Sequence, residues 1–203
     1  MGARENSVKH LGNFYTVIVG LALTTAIYNL VDANGQVRPF NGVTLLLCVA
    51  FVATLLPFYH GAMRHLDKTY LEVDEHAAPK PGALMADFII LFLEGCIFIV
   101  LGTKVAHPVA FTFLFTSLLL LDSVWAFFAH LLSPAPRKQE LTWAGINFVT
   151  VLVLGGFIYS RGLIDSLSAP VPPSTIGIVL CVIALARTVI DYWFSWKHGY
   201  YSW

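Results

Sequence analysis

The sequence has 203 residues, 57% hydrophobic and 12% charged, with 12 Lys and Arg balancing 12 Asp and Glu, and its mean hydropathy is +0.72. A soluble domain carries about 25% charged residues, so the composition excludes an ordinary soluble globule and predicts an all-α, polytopic integral membrane protein. Zero net charge removes the electrostatic case for nucleic-acid binding, and Cys48, Cys96 and Cys181 all lie inside apolar runs, against a disulfide framework or a paired-cysteine metal site.

A spanning helix needs about 20 mainly apolar residues, and six stretches meet that need: 13–31, 43–63, 84–103, 108–132, 142–160 and 174–195. The start lacks a charged n-region, short apolar core and small-residue cleavage site in series, so the first stretch is expected to be retained. The joins carry turn chemistry: "DANGQVRPFNG" holds an Asn-Gly, a Pro and a Gly, "TKVAHP" is tight, and "SPAPRKQE" and "SAPVPPS" are proline-rich stops. The one long connection, 64–83, is mixed in charge and reads as a short surface helix followed by a loop, and 196–203 form an aromatic C-terminal tail. Residues 1–203 thus form a single transmembrane domain.

Lysine and arginine in short loops set orientation. With the N-terminus cytoplasmic, Arg4, Lys9, Arg64, Lys68, Lys80, Arg137, Lys138 and Lys197 lie inside, against Arg38, Lys104 and Arg161 outside. Both termini are therefore expected in the cytoplasm, in a bacterial inner membrane.

The apolar stretches also repeat. "NFYTVIVG" at Asn13, "DFIILFLEG" at Asp87 and "NFVTVLVLG" at Asn147 open the odd stretches alike, and His65, His130 and His198 close the even ones. The first and last pairs of stretches align without gaps at an offset of 133, matching Leu47-Cys48-Val49 with Leu180-Cys181-Val182 and Tyr59 with Tyr192. These matches predict three tandem helical hairpins, 13–63, 84–132 and 142–195.

Ionisable groups deep in lipid are costly and need a partner or a purpose. Asp122 lies inside "PVAFTFLFTSLLLLDSVWAFFAHLL", and Glu94 and Arg187 sit in similar company. At 1.5 Å per helical residue Glu94 lies about 14 Å deep from the inner side, and Asp122 and Arg187 about 9–12 Å. Asp87 shares a helix face with Glu94, and Asp191 shares one with Arg187. Asn147 falls one turn inside its stretch. The candidate site is thus an intramembrane cluster of Glu94, Asp122 and Arg187, supported by Asp87, Asn147 and Asp191, with His60 or His130 at its mouth. One use is a proton, ion or substrate site facing the cytoplasm; the other is an internal ion-pair network in which Arg187 neutralises an acid and locks helices together. Arg187→Ala separates them: the network reading expects failed assembly, the site reading a normally inserted protein without activity.

Paired histidines inside a bundle would hold a haem, but His60, His65, His130 and His198 sit at helix ends, where they cap carbonyls, so no cofactor and no metal is expected. The sequence has no H-E-x-x-H, G-x-S-x-G, P-loop or G-x-G-x-x-G, and Ser123 has no histidine in sequence reach, so no catalytic residue is assigned. Trp125, Trp143, Trp193, Trp196 and Trp203 form an interfacial belt. The tail "DYWFSWKHGYYSW" is dense enough to anchor on the bilayer or to dock a protein partner or second copy. Gly20, Gly95, Gly155 and Gly156 are placed to allow close helix contact.

The first expectation for function is a small channel, pore or accessory membrane effector, acting as a homo-oligomer. By analogy of class alone, which carries no residue across, such proteins serve in bacterial stress or phage-defence loci. A small proton-coupled transporter is the second reading. The third is a membrane-embedded enzyme working on a lipid-borne substrate at the inner leaflet, with Asp122 and Glu94 as acid and base. The bilayer is the one partner all three require.

Overall fold

The computed structural model describes residues 2–31, 42–72, 81–132, 138–162, 172–197 and 199. It is all-helical in its ordered elements: α1 (Ala3–Tyr28), α2 (Gly42–Leu66), α3 (Pro81–Thr103), α4 (Pro108–Leu132), α5 (Lys138–Ser160) and α6 (Pro173–Lys197), with α2 running on into a π-helical turn, Asp67–Leu71. All six helices are long and apolar enough to cross a membrane. Three of them open on a proline, whose missing N–H costs nothing in the first turn and whose fixed φ suits a helix start.

Most helices extend beyond the stretches read from hydropathy, because polar turns at their ends carry no apolar signal. α1 begins ten residues earlier than residue 13, and its buried stripe Val8, Leu11, Tyr15, Ile18, Ala22 and Ala26 has the spacing of one helix face. Residues 64–71 continue α2 instead of forming a separate surface helix, since Leu66 and Tyr70 pack against Val8, Leu11, Tyr15 and Leu91. Just beyond, Glu72 takes Lys68 and Arg64 as partners, and the Lys68 hydrogen bond, then Arg64, hold its carboxyl below the ordinary range. Within the aromatic tail, Trp196 lies in the last turn of α6 as an exposed side chain, while His198 and 200–203 lie outside the described residues, as do 73–80 of the long connection.

The most extensive packing is of α4 on α5, α2 on α6 and α1 on α3; consecutive helices such as α1 and α2, or α3 and α4, also touch, less extensively. α1 and α3 run parallel. Phe14 stacks on Phe88 at 5.7 Å near their starts, and Gly102 meets Ala22 and Ala26 near their ends, where an added Cβ would lie 2.8 Å from the Ala22 carbonyl. Gly95 likewise packs on Ile18, whereas Gly20, Gly155 and Gly156 face open space, so close contact explains Gly95 and Gly102 and not the other three. α2 and α6 also run parallel, with Gly177 against Val43 and Leu46 at one end and His60 bonded to Tyr192 at the other. The residues facing each other there are 132 and 135 apart, so the sequence match at offset 133 falls on a parallel helix interface. α4 and α5 are antiparallel, joined where the Ser123 hydroxyl donates to the Ala144 carbonyl at 2.8 Å.

Pro57 interrupts the middle of α2. It has no N–H to offer the carbonyl four residues back, that of Ala53. The Thr188 hydroxyl on α6 donates to that carbonyl, sharing its one proton with the Ala184 carbonyl of its own helix at 2.9 Å, the repair that lets proline sit inside a spanning helix. Thr188→Val should therefore destabilise the protein by about 1–2 kcal/mol, read as a lowered melting temperature in detergent, while Thr188→Ser should melt like the parent. Equal melting of the two variants would mean that the Ala53 carbonyl finds another donor.

Two apolar cores divide the bundle. The larger fills one end with Leu47, Phe51, Phe98, Leu101, Phe111, Phe115, Leu118, Leu154 and Leu180, all fully buried. The smaller, around Tyr15 and Leu91, lies toward the other end. Outward-facing Val17, Leu152, Val182 and Val189 are more than half exposed, as suits side chains that meet lipid.

Candidate functional site

At the end opposite the larger core, α1, α3 and α5 begin and α2, α4 and α6 finish. The polar residues of that end come from five helices and surround one cavity, with about 70 Å³ of room for solvent and about 640 Å³ of non-atom space once its open mouth is included. A single water needs about 10–15 Å³ by the first measure, so several fit.

The polar groups form two levels. Nearer the helix ends, the Tyr70 hydroxyl donates to Asp87 Oδ2 at 2.6 Å, and His65 Nε2 lies 3.2 Å from the same oxygen. The other side of the His65 ring faces Glu140, Nδ1 to Oε1 at 3.9 Å, and His130 Nδ1 approaches Glu140 Oε2 at 3.7 Å. Carboxyl and imidazole thus alternate from Asp87 to His130 across α3, α2, α5 and α4.

One level deeper, the Glu94 and Asp122 carboxyl groups are close neighbours. Asn147 donates its amide N–H to Asp122 and accepts at its amide oxygen from Arg187 Nε at 2.6 Å. The Arg187 guanidinium lies over the Phe58 ring, 4.9 Å from its centroid. Asp191 accepts from the Trp143 indole and from Ser195. Tyr15 brings a buried hydroxyl into the neighbourhood of Glu94 and Asp122, and neither it nor the buried Glu94 Oε1 has a hydrogen-bond partner among the described residues. The two levels repeat a spacing: Asp87 and Glu94 on α3, and Glu140 and Asn147 on α5, are each seven residues apart, about 10 Å along one helix face.

The predicted trio of Glu94, Asp122 and Arg187 therefore lines one cavity, together with Asp87, Asn147 and Asp191. Asn147 stands as the bridge between Asp122 and Arg187, where a direct pair was expected. His60 bonds the Tyr192 hydroxyl through Nδ1 at 2.6 Å across the α2–α6 interface and is not among the cavity's described lining residues. His130 sits at the rim through Glu140. The cavity also holds Glu140, His65, Trp125 and Trp143, of which the sequence reading placed only the histidine and the tryptophans, and those by position alone. The seven-residue echo between Asp87–Glu94 and Glu140–Asn147 was the available signal for Glu140.

Ser123 gives its proton to the Ala144 carbonyl and so joins two helices, which is a packing role. Among the described residues no three His, Cys, Asp or Glu side chains converge as a metal site would require. Six apolar helices around a cavity lined with acids define the class: a multi-pass membrane protein. No family model, curated protein or solved structure matches the chain.

Proposed function

We propose that this protein is a small proton-linked cation transporter whose cavity opens to the cytoplasm. The observation that carries the reading is a charge imbalance. Asp87, Glu94, Asp122, Glu140 and Asp191 share the cavity with Arg187, the only lysine or arginine among its described lining residues. Five ionised carboxylates around one guanidinium would be prohibitively costly away from bulk water. The deficit is met by protons or by a bound cation, and two ligands that satisfy the same charge compete for it. Such competition is a coupling free energy between proton and cation, the requirement for exchange.

The Glu94–Asp122 pair carries this at the level of atoms. Two neighbouring buried carboxylates repel each other when both are ionised, so the pair favours a proton or a cation between them. Asp122 also accepts from the Asn147 amide. Releasing that proton frees both acids for a cation, and the alternating carboxyls and imidazoles of Asp87, His65, Glu140 and His130 offer it a path to the helix ends. The excess of lysine and arginine in the loops at this end supports a cytoplasmic opening.

A channel within one chain fits less well, since the opposite half is filled by the larger apolar core. An enzyme reading finds Glu94 and Asp122 turned toward each other.

The test is proton flux in proteoliposomes with a pH dye trapped inside, driven by gradients of sodium, potassium, tetramethylammonium or guanidinium. At least one gradient should evoke proton movement above that of empty vesicles, and Glu94→Gln should lower it about tenfold or more, within the range lost with a positioned acid or base. Fluxes equal to empty vesicles for every cation would sink the transport reading.

A further inference from the structure

We infer that the deep acids seat a small monovalent inorganic cation stripped of most of its water, held by the carboxyls of Glu94 and Asp122 with the Tyr15 hydroxyl oxygen as a further ligand. The inference deepens the proposed exchange by naming the class of its cation. It rests on that reading for its physiological use, though binding can be measured without transport.

Tyr15 is the observation that points to a guest, and it is independent of the acid count. Its side chain is fully buried, and its hydroxyl has no hydrogen-bond partner among the described residues. A buried hydroxyl in that condition weakens a fold, and phenylalanine would fill the same space without it. The ring has its packing, stacked on Tyr59 with centroids 6.3 Å apart and set against Leu91 in the smaller core. The hydroxyl is the part of the residue that packing does not explain.

Helix geometry carries that hydroxyl toward the acids. α1 and α3 come close where Ile18 packs on Gly95, a contact with no room for a Cβ on the glycine. Tyr15 lies about one turn before Ile18, Glu94 stands next to Gly95, and Leu91, in the same core cluster as Tyr15, lies about one turn before Glu94. The hydroxyl feels the charge of both Glu94 and Asp122. None of the cavity's described lining residues comes from α1, so Tyr15 is the group that α1 brings to the cluster. Glu94 is 2% exposed, lines the cavity and keeps Oε1 without a hydrogen-bond partner among the described residues. Unpartnered oxygens on α1 and α3 thus stand beside the Asp122 carboxyl on α4, and a positive guest satisfies all three.

Charge and ligand count set the kind of guest. Asn147 ties Arg187 to Asp122. Glu94, Asp122 and Arg187 therefore carry one net negative charge when both acids are ionised, and one monovalent ion cancels it. Asp191 has donors of its own in Trp143 and Ser195. Calcium takes about six to eight oxygens, several of them charged, and no three described acids or imidazoles converge. Phe58, Leu91 and Ala126 wall the same cavity, so an ion at this depth exchanges water for protein oxygens.

The experiment follows the melting of the full chain in detergent while sodium, potassium or ammonium chloride replaces N-methylglucamine chloride at constant ionic strength. At least one of the three ions should raise the melting temperature saturably, as a ligand of the folded state does. Without them, Tyr15→Phe should melt like the parent or higher, since it loses an unpartnered hydroxyl. It should bind the ion about ten- to a hundredfold more weakly, the worth of one polar contact to a charge, and Glu94→Gln should bind at least as weakly. Tyr59→Phe, whose hydroxyl shares a hydrogen bond with Thr16, should bind like the parent. Tyr15→Met also lacks the hydroxyl and serves if the phenylalanine variant does not fold. Failure of all three ions to stabilise the parent overturns the inference. Equal binding by Tyr15→Phe and the parent does so too, as does equal weakening by Tyr15→Phe and Tyr59→Phe. Calcium bound more tightly than any of the three overturns the monovalent class. Ion binding that depends on Tyr15, without proton flux, retains the seat and overturns transport. Proton flux that Tyr15→Phe leaves unchanged does the reverse.

Discussion

Arg187→Met is expected to destabilise the folded protein by about 3–5 kcal/mol, the usual cost of removing one partner from a buried charge network. Arg187 is 5% exposed and links α6 to α5 through Asn147 and to α2 through the Phe58 ring. Methionine keeps much of the apolar stem, so the loss is chiefly of the positive charge and its hydrogen bonds. Melting in detergent, followed by light scattering or tryptophan emission, should show a clear drop for the single variant. Arg187→Met combined with Asp122→Asn should recover at least half of it, because the second change removes the charge that the first left uncompensated. If Arg187→Met melts like the parent but no longer couples protons to cations, the guanidinium serves the cavity's chemistry and the fold does not need it.

Asn147 is the second position where a large effect is expected. Its amide donates to Asp122 with one atom and accepts from Arg187 with the other, two roles that neither a carboxylate nor a hydrocarbon can fill together. Hydrogen bonds to buried charged groups contribute about 1.5–3 kcal/mol each, so Asn147→Leu should lower stability by about 3–5 kcal/mol at near-constant volume. Asn147→Asp keeps the acceptor for Arg187 but sets a second carboxylate against Asp122. Its deficit should be greatest in alkaline buffer and should narrow as pH falls and one acid takes up a proton. A deficit independent of pH would mean that the lost donor, and not repulsion, is responsible.

The residues of this site were unequally readable. Glu94, Asp122 and Arg187 stand out because charge inside an apolar run contradicts its surroundings, and helix rise alone puts them at one depth. Asn147 stands out less, yet it is the atom-level link between two of them, and spacing cannot tell a bridge from a bystander. Glu140 was masked by its context and marked only by its seven-residue spacing from Asn147: it falls in "SPAPRKQE", which reads as a proline-rich stop, whereas α5 starts at Lys138 and turns that carboxyl into the cavity. Hydropathy reports where a helix is apolar and is silent on the polar turns that continue it. The same silence hid the first ten residues of α1 and the turn carrying Tyr70. His60 and His130 were alternatives for the mouth because both fall at the inner end of their helices, and depth alone cannot tell that His130 approaches Glu140 while the His60 ring is bonded to Tyr192. Short loops favour neighbours along the chain, as α4 and α5 are, but the packing of α1 on α3 and of α2 on α6 was beyond the sequence, because small residues at Gly95, Gly102 and Gly177 draw together helices that are not consecutive.

That last pairing bears on how the protein is made. α2 leaves the ribosome about a hundred residues before α6, which at about 5–20 residues per second is about 5–20 s of synthesis. Throughout that interval α2 sits in lipid without its main neighbour, and the carbonyl that Pro57 leaves open has not yet met Thr188. A nascent chain that stalls short of α6 thus exposes an unsatisfied backbone group in the bilayer, where it is most costly. The open carbonyl opposite Pro57 distinguishes an unfinished molecule from a finished one, and the arrival of the last helix closes it.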